Sequence, residues 1–209
     1  MSLRRCLSLL TVAVALALPA PYARAAAPDA VSFVDTMVNQ ALGMLRDKQM
    51  PKAERDQKFA ALLSQDFDIP RISRFVLGRY WASASEQERA EFAKLFERWV
   101  VRTYSARFSD YSGETVKVGS ARPQGETDIV VESQIIHPDG SPPAKVDWRV
   151  RQKDGTFKIV DIDVEGVSMA LTEKEEFSSV IQRNGGTVAN LNNALQQNLA
   201  SNDVPTKAQ

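Results

Sequence analysis

The sequence predicts an α+β fold: a four-stranded antiparallel twisted sheet with helices packed on one face. Three observations carry this. Apolar residues recur at three- and four-residue steps through the first half, the period changes to two between Thr115 and Val164, and helical spacing returns after Thr172. At 209 residues, with no internal repeat and no linker, the length fits one domain.

The N-terminus comes first. Arg4 and Arg5 precede Leu7–Leu18, an uncharged apolar run, then Pro19-Ala20-Pro21 and the small-x-small pattern Ala23-Arg24-Ala25. The run falls short of the roughly 20 residues a bilayer span needs, so 1–25 reads as a secretory signal peptide cleaved after Ala25. Cleavage removes Cys6 with Arg4, Arg5 and Arg24, leaving 23 basic against 26 acidic residues, a net charge of −3. The expected organisation is a signal peptide at 1–25, one domain over 26–200 and a flexible tail over 201–209.

Val31, Val34, Val38, Leu42 and Leu45 make an amphipathic helix that Pro28 can open. Pro51–Ser64 reads as a second helix, burying Phe59, Leu62 and Leu63. Phe67–Gly78 is a short helix with Pro70 near its start and Gly78 at its C-cap. Ser85 and Glu88 form a capping box that opens a long helix carrying Phe92, Leu95, Phe96, Trp99, Thr103 and Phe108, broken at Tyr111-Ser112-Gly113.

Thr115–Val118, Asp128–Ile136, Lys145–Gln152 and Phe157–Val164 read as strands, and their short connections imply a meander. Lys153-Asp154-Gly155 suits a three-residue hairpin loop, which pairs Gln152 with Thr156, Trp148 with Val160 and Val146 with Ile162. One face then holds Val146, Trp148, Val150, Val160, Ile162 and Val164. Asp147, Arg149 and Arg151 lie on the other face beside Ile159, Asp161 and Asp163. Thr172 and Glu175 predict a second capping box leading to Phe177, Val180 and Ile181, and Thr187–Leu199 is a final amphipathic helix.

Composition excludes several functions. With 26 basic and 26 acidic residues, the chain lacks the basic excess that nucleic-acid binding needs. One Cys and one His build neither a disulfide framework nor a His/Cys zinc site. No Ser stands in a Gly-x-Ser-x-Gly context and no Gly-rich phosphate loop opens a helix, so no cofactor is implied. Asp161, Asp163 and Glu165 alternate along one strand, as paired acid–base groups or hard-cation ligands would. Their position beside Arg149 and Arg151 makes solvated cross-strand ion pairs the simpler reading. His137, before Pro138 in a turn, reads as a surface imidazole.

The order and spacing of several segments resemble the MlaC family, also called the toluene-tolerance family of periplasmic lipid-binding proteins. The resemblance runs from about Phe67 to Leu195. Its marks are Phe67-Asp68 with Ile72, Val76-Leu77-Gly78-Arg79-Tyr80-Trp81, Glu91-Phe92, Thr103-Tyr104, Tyr111-Ser112-Gly113-Glu114, Val160-Asp161-Ile162-Asp163-Val164-Glu165-Gly166-Val167-Ser168, and Phe177 with Ile181. It implies a periplasmic shuttle, not an enzyme, that carries phospholipid between an outer-membrane lipoprotein complex and an inner-membrane ABC transporter complex. It also implies an apolar cavity between helices and sheet. A hopanoid-associated branch leaves a polycyclic lipid open as the alternative cargo.

On that resemblance, Val76, Leu95, Trp99, Val146, Trp148, Val150, Val160, Ile162 and Val164 are the expected cavity lining. Arg71, Arg74, Arg79 and Lys174 are candidate headgroup or partner contacts. Lys174 stands where relatives often carry Arg, and an ammonium does not fork a phosphate as a guanidinium does. A protein-binding adaptor and a small hydrolase or isomerase are the competing classes. Bound lipid, a stoichiometric protein complex or dependence on specific carboxylates would separate the three.

Overall fold

The computed structural model describes residues 22–201. Of the expected signal peptide only 22–25 fall within this range, and the tail beyond Ser201 lies outside it. The helices of the first half are α1 (Tyr22–Arg46), α2 (Lys52–Asp66), α3 (Ile69–Leu77), α4 (Tyr80–Ser83) and α5 (Glu86–Ser105). The strands are β1 (Thr115–Gln124), β2 (Asp128–Ile136), β3 (Ala144–Lys153), β4 (Thr156–Val164) and β5 (Val167–Ser168), followed by α6 (Met169–Arg183) and α7 (Val188–Ala200). The sheet order is β1-β2-β3-β4-β5 with every neighbouring pair antiparallel, five strands where the sequence predicts four.

Local chemistry accounts for most boundaries. The Glu88 carboxylate accepts the Ser85 N–H at 2.6 Å while Ser85 Oγ accepts the Glu88 N–H at 3.2 Å, the reciprocal capping box expected for α5. Asp68 caps α3 by accepting the Arg71 N–H at 3.1 Å. Gly78, at φ 51°, ends α3 and donates its N–H to Phe75 O at 3.1 Å, a backbone conformation that favours glycine. Thr187 caps α7 through the Asn190 N–H.

Most boundaries fall within two residues of expectation, and four differ by more. α1 begins at Tyr22, so Pro28 lies within the helix instead of opening it. α5 stops at Ser105, and Phe108 belongs to a 3-10 turn, Phe108–Asp110, where its ring meets Phe59 edge-on at 4.9 Å. β1 runs six residues past Val118, because a bulge between Val118 and Ala121 restores pairing with β2. α6 starts at Met169, one turn before Thr172. Ser168, leaving β5 directly, caps it through the Leu171 N–H at 3.0 Å, and Thr172 donates back to Ser168 O.

The β3–β4 hairpin also differs. Lys153 pairs with Thr156, so the loop is the two residues Asp154 and Gly155, at φ 52° and 77°. Positive φ at both central residues matches the primed turn that suits the twist of a two-residue hairpin. A bulge at Val160 then shifts the ladder: Val150 pairs with Ile159, but Arg149 with Asp161, Trp148 with Ile162 and Val146 with Val164. Parity is restored beyond the bulge, so Val146, Trp148, Val150, Ile162 and Val164 keep the expected face. Ile159 takes the place expected for Val160.

The two sheet faces meet different helices. Ala30, Val34, Met37 and Val38 of α1 pack on the face formed by Ile129, Val131, Val150 and Ile159. A second core joins α3, α5, α6 and α7, with Trp99 and Phe177 edge-on at 5.1 Å. α3 and α6 lean on the opposite, charged face near β4, so helices reach both sides of the sheet.

Candidate functional site

A cavity of about 720 Å³ opens between α3 and the charged sheet face. From α3 and the residues after it come Pro70, Ile72, Phe75, Gly78 and Trp81, with Asp68, Arg71 and Arg74. The sheet supplies Asp128, Arg149, Arg151 and Val160, and α6 supplies Lys174. The register explains this wall. Asp128 pairs with Arg151 across β2–β3, Arg149 with Asp161 across β3–β4, and all point away from α1. The bulge turns Val160 out among these charges, where it forms an apolar floor.

The charges of the sheet wall are largely settled among themselves. Arg151 grips Asp128 with two bonds, the Nη2–Oδ2 contact at 2.8 Å. Burial pushes the Asp128 carboxyl up, but the Arg151 hydrogen bonds and charge outweigh it and hold the group below its ordinary value. Arg149 Nη2 lies 2.6 Å from Asp161 Oδ2. Asp161 is only 7% exposed and also accepts from Ser168 Oγ at 2.7 Å, the Ile162 N–H at 2.9 Å and the Ala170 N–H at 3.0 Å. The reading of Asp161 as half of a solvated pair is therefore corrected: it is a buried tie between β4 and the start of α6. Asp163 faces Asp147 across the strands, and Glu165, at φ 52°, accepts the Lys145 N–H through its carboxylate. The three acids do not converge on a common point. Among the described residues no group of three His, Cys, Asp or Glu is placed to hold a metal ion.

The residues singled out from sequence separate clearly. Arg71, Arg74, Lys174 and Val160 line the cavity. Arg79 does not; its guanidinium stacks on Tyr80 at 4.9 Å and donates to the Tyr80 hydroxyl at 2.9 Å. Val76, Leu95 and Trp99 belong to the helical core, while Trp148, Val150 and Ile162 pack in the α1 core. Val146 and Val164 pair with each other on that same face. His137 lies after β2, away from the cavity lining. Sequence reasoning missed Phe75, Trp81, Arg149, Arg151 and Asp128. Phe75 carried a signal: it sits off the stripe of Ile69, Ser73 and Val76 that buries α3, and is 40% exposed.

An antiparallel sheet flanked by helices, with a cavity whose wall mixes aromatic, aliphatic and cationic side chains, is the architecture of an α+β protein suited to holding a ligand. Residues 35–197 match the family described as MlaC protein, and the chain belongs to the MlaC family. The intermembrane phospholipid transport system binding protein MlaC of Haemophilus influenzae is 26% identical over 113 residues, 53% of each chain, so the match spans about half of that relative. A phospholipid-binding protein from Ralstonia solanacearum, solved in complex with a phospholipid, superposes with a TM-score of 0.70 at 26% identity, covering 82% of this chain and 97% of that one.

Proposed function

We propose that this protein is a periplasmic lipid carrier that holds a phospholipid in the cavity between α3, α6 and the charged sheet face. On this reading it shuttles the lipid between an outer-membrane lipoprotein complex and an inner-membrane ABC transporter complex, exported by the signal at 1–25. The observation that carries the reading is the chemistry of this cavity: Ile72, Phe75, Trp81 and Val160 offer apolar surface beside the cationic Arg71, Arg74 and Lys174. The lipid-bound Ralstonia relative supports it. A carrier carries out no bond-making step, and the carboxylates around the cavity serve as ion-pair partners and caps.

The energetics suit a shuttle. Burying about 30 methylenes at roughly 0.8 kcal/mol each totals about 25 kcal/mol relative to water, beyond the usual ceiling of non-covalent affinity. The relevant exchange is bilayer against cavity, where the apolar terms nearly cancel, so cargo can be both taken up and released. Native mass spectrometry of the mature protein, followed by organic extraction, tests the reading. A mass increment that extraction identifies as phospholipid is expected. Protein that stays lipid-free after exposure to phospholipid vesicles would sink it, and an extracted polycyclic lipid would reassign the cargo.

A further inference from the structure

The cavity wall carries more positive charge than its own carboxylates neutralise. Asp128 engages Arg151, Asp161 engages Arg149, and Asp68 lies 3.6 Å from Arg71. Arg74 and Lys174 are left: among the described residues neither has a carboxylate partner. Each rests instead on an aromatic ring of the same cavity. The Arg74 guanidinium lies 5.7 Å from the Trp81 ring centre, and the Lys174 ammonium 5.0 Å from that of Phe75. A ring face holds a cation in position without cancelling its charge or occupying all its N–H donors. The Lys174 stem has a built path, too. A Cβ at Gly78 would come within 2.9 Å of Lys174 Cε, so the bare α3 C-cap leaves the space in which that side chain lies.

We propose that Arg74 and Lys174 form a headgroup clamp that selects net-anionic phospholipids over zwitterionic ones; this rests on the carrier reading above. Arg74 can fork two oxygens of a phosphodiester, and Lys174 adds a mobile point charge. A lipid with a phosphodiester and no ammonium neutralises the unpaired charge of the wall. The ammonium of a zwitterionic headgroup would enter a site whose lining carboxylates, Asp68 and Asp128, are already engaged, as is Asp161 behind Arg149, adding positive charge beside two unpaired cations. Selection of this kind acts through the headgroup and leaves the acyl-chain contacts common to both lipids.

The test uses delipidated mature protein incubated with vesicles of phosphatidylglycerol or phosphatidylcholine of matched acyl chains, with bound lipid counted by native mass spectrometry. The wild type should load phosphatidylglycerol at least about tenfold more readily, and the ratio should shrink with added salt. An R74Q/K174Q double variant, checked for folding by circular dichroism, should bring the ratio towards parity. K174R should keep the preference, and R79Q, altered outside the cavity, should leave the ratio where it was. Inorganic phosphate separates the two sources of the anion. Failure to displace the lipid at millimolar concentration supports the headgroup, whereas displacement at micromolar concentration overturns it in favour of a free anion. Equal loading of both lipids by the wild type, or a folded double variant that keeps the preference, overturns the clamp while leaving the carrier intact. Uptake of neither lipid overturns the carrier reading and the clamp with it.

Discussion

Asp161 Oδ2 lies 2.6 Å from Arg149 Nη2, and the same carboxylate accepts the N–H of Ala170 in the first turn of α6. One buried side chain thus ties strand β4 to a cavity arginine and to the helix that carries Lys174. Asp161→Asn should cost about 2–4 kcal/mol, because it leaves Arg149 without its partner. The figure sits below a fully buried pair, since the Arg149 side chain is 34% exposed. Asp163→Asn is the contrast. It relieves a like-charge pairing with Asp147 and should shift stability by no more than about 0.5 kcal/mol. Urea midpoints for the two variants check this; equal effects would refute the assignment of Asp161 as the tie.

Asp66 predicts a pH dependence of stability. It is the last residue of α2 and only 6% exposed. Burial raises its pKa, and the Lys158 charge offsets this only in part. With the folded pKa above the unfolded one, the native state binds more protons in the window between them. Stability falls as pH rises from the ordinary Asp range through the raised folded value, and the cost is complete at neutral pH. Asp66→Asn should therefore stabilise the protein at pH 7, with about 0.5 kcal/mol from the helix C-terminus alone. The gain should fade in acid. Thermal melts at pH 7 and pH 4 measure it; a neutral-pH loss would overturn the argument.

The β3–β4 turn is equally testable. A three-residue loop would keep Asp154 at negative φ, whereas it stands at φ 52°. Asp154→Val should cost about 1–2 kcal/mol, since a β-branched residue resists the left-handed region. Asp154→Asn should be neutral or slightly stabilising. Equal stability of the two variants would favour the longer loop.

This hairpin shows what sequence can and cannot carry. Some signals confined to one helix end were legible: Ser85 with Glu88 and Gly78 act where their spacing places them, whereas Thr172 with Glu175 does not open α6, which Ser168 caps. Ile159-Val160 was not, because two adjacent apolar residues satisfy the period-two rule in either register. The two-residue loop and the bulge compensate, so the faces of Trp148 and Val164 came out right while Val160 came out wrong. The cavity opens on the other sheet face from the one expected, for a related reason. Periodicity marks the apolar face of a sheet but not which helix takes it, and α1 fills that face with Val34, Met37 and Val38. The basic residues Arg71, Arg74 and Lys174 were found by composition and resemblance. Their sheet partners Arg149 and Arg151 were hidden as an ordinary solvated face.

Val150 and Val160 now separate core from cavity on neighbouring strands. Val150 is fully buried and packs in the α1 core, whereas Val160, at the bulge, lines the cavity beside Arg149 and Arg151. An indole at Val150 has no space to enter and should overpack that core at a cost of about 1–3 kcal/mol or more. Val160 is 8% exposed but borders about 720 Å³ of cavity, so the same indole has space to turn into and competes with cargo there. Val160→Trp should melt less far below the wild type than Val150→Trp and purify with less lipid, or with shorter-chain lipid. Val150→Trp should melt lower while its remaining folded fraction keeps the wild-type lipid content per molecule. Melting curves and extracted lipid for both variants decide the matter. A Val160→Trp protein with full lipid content would exclude the floor of this cavity from the binding site, and lipid loss confined to Val150→Trp would move the site to the α1 face.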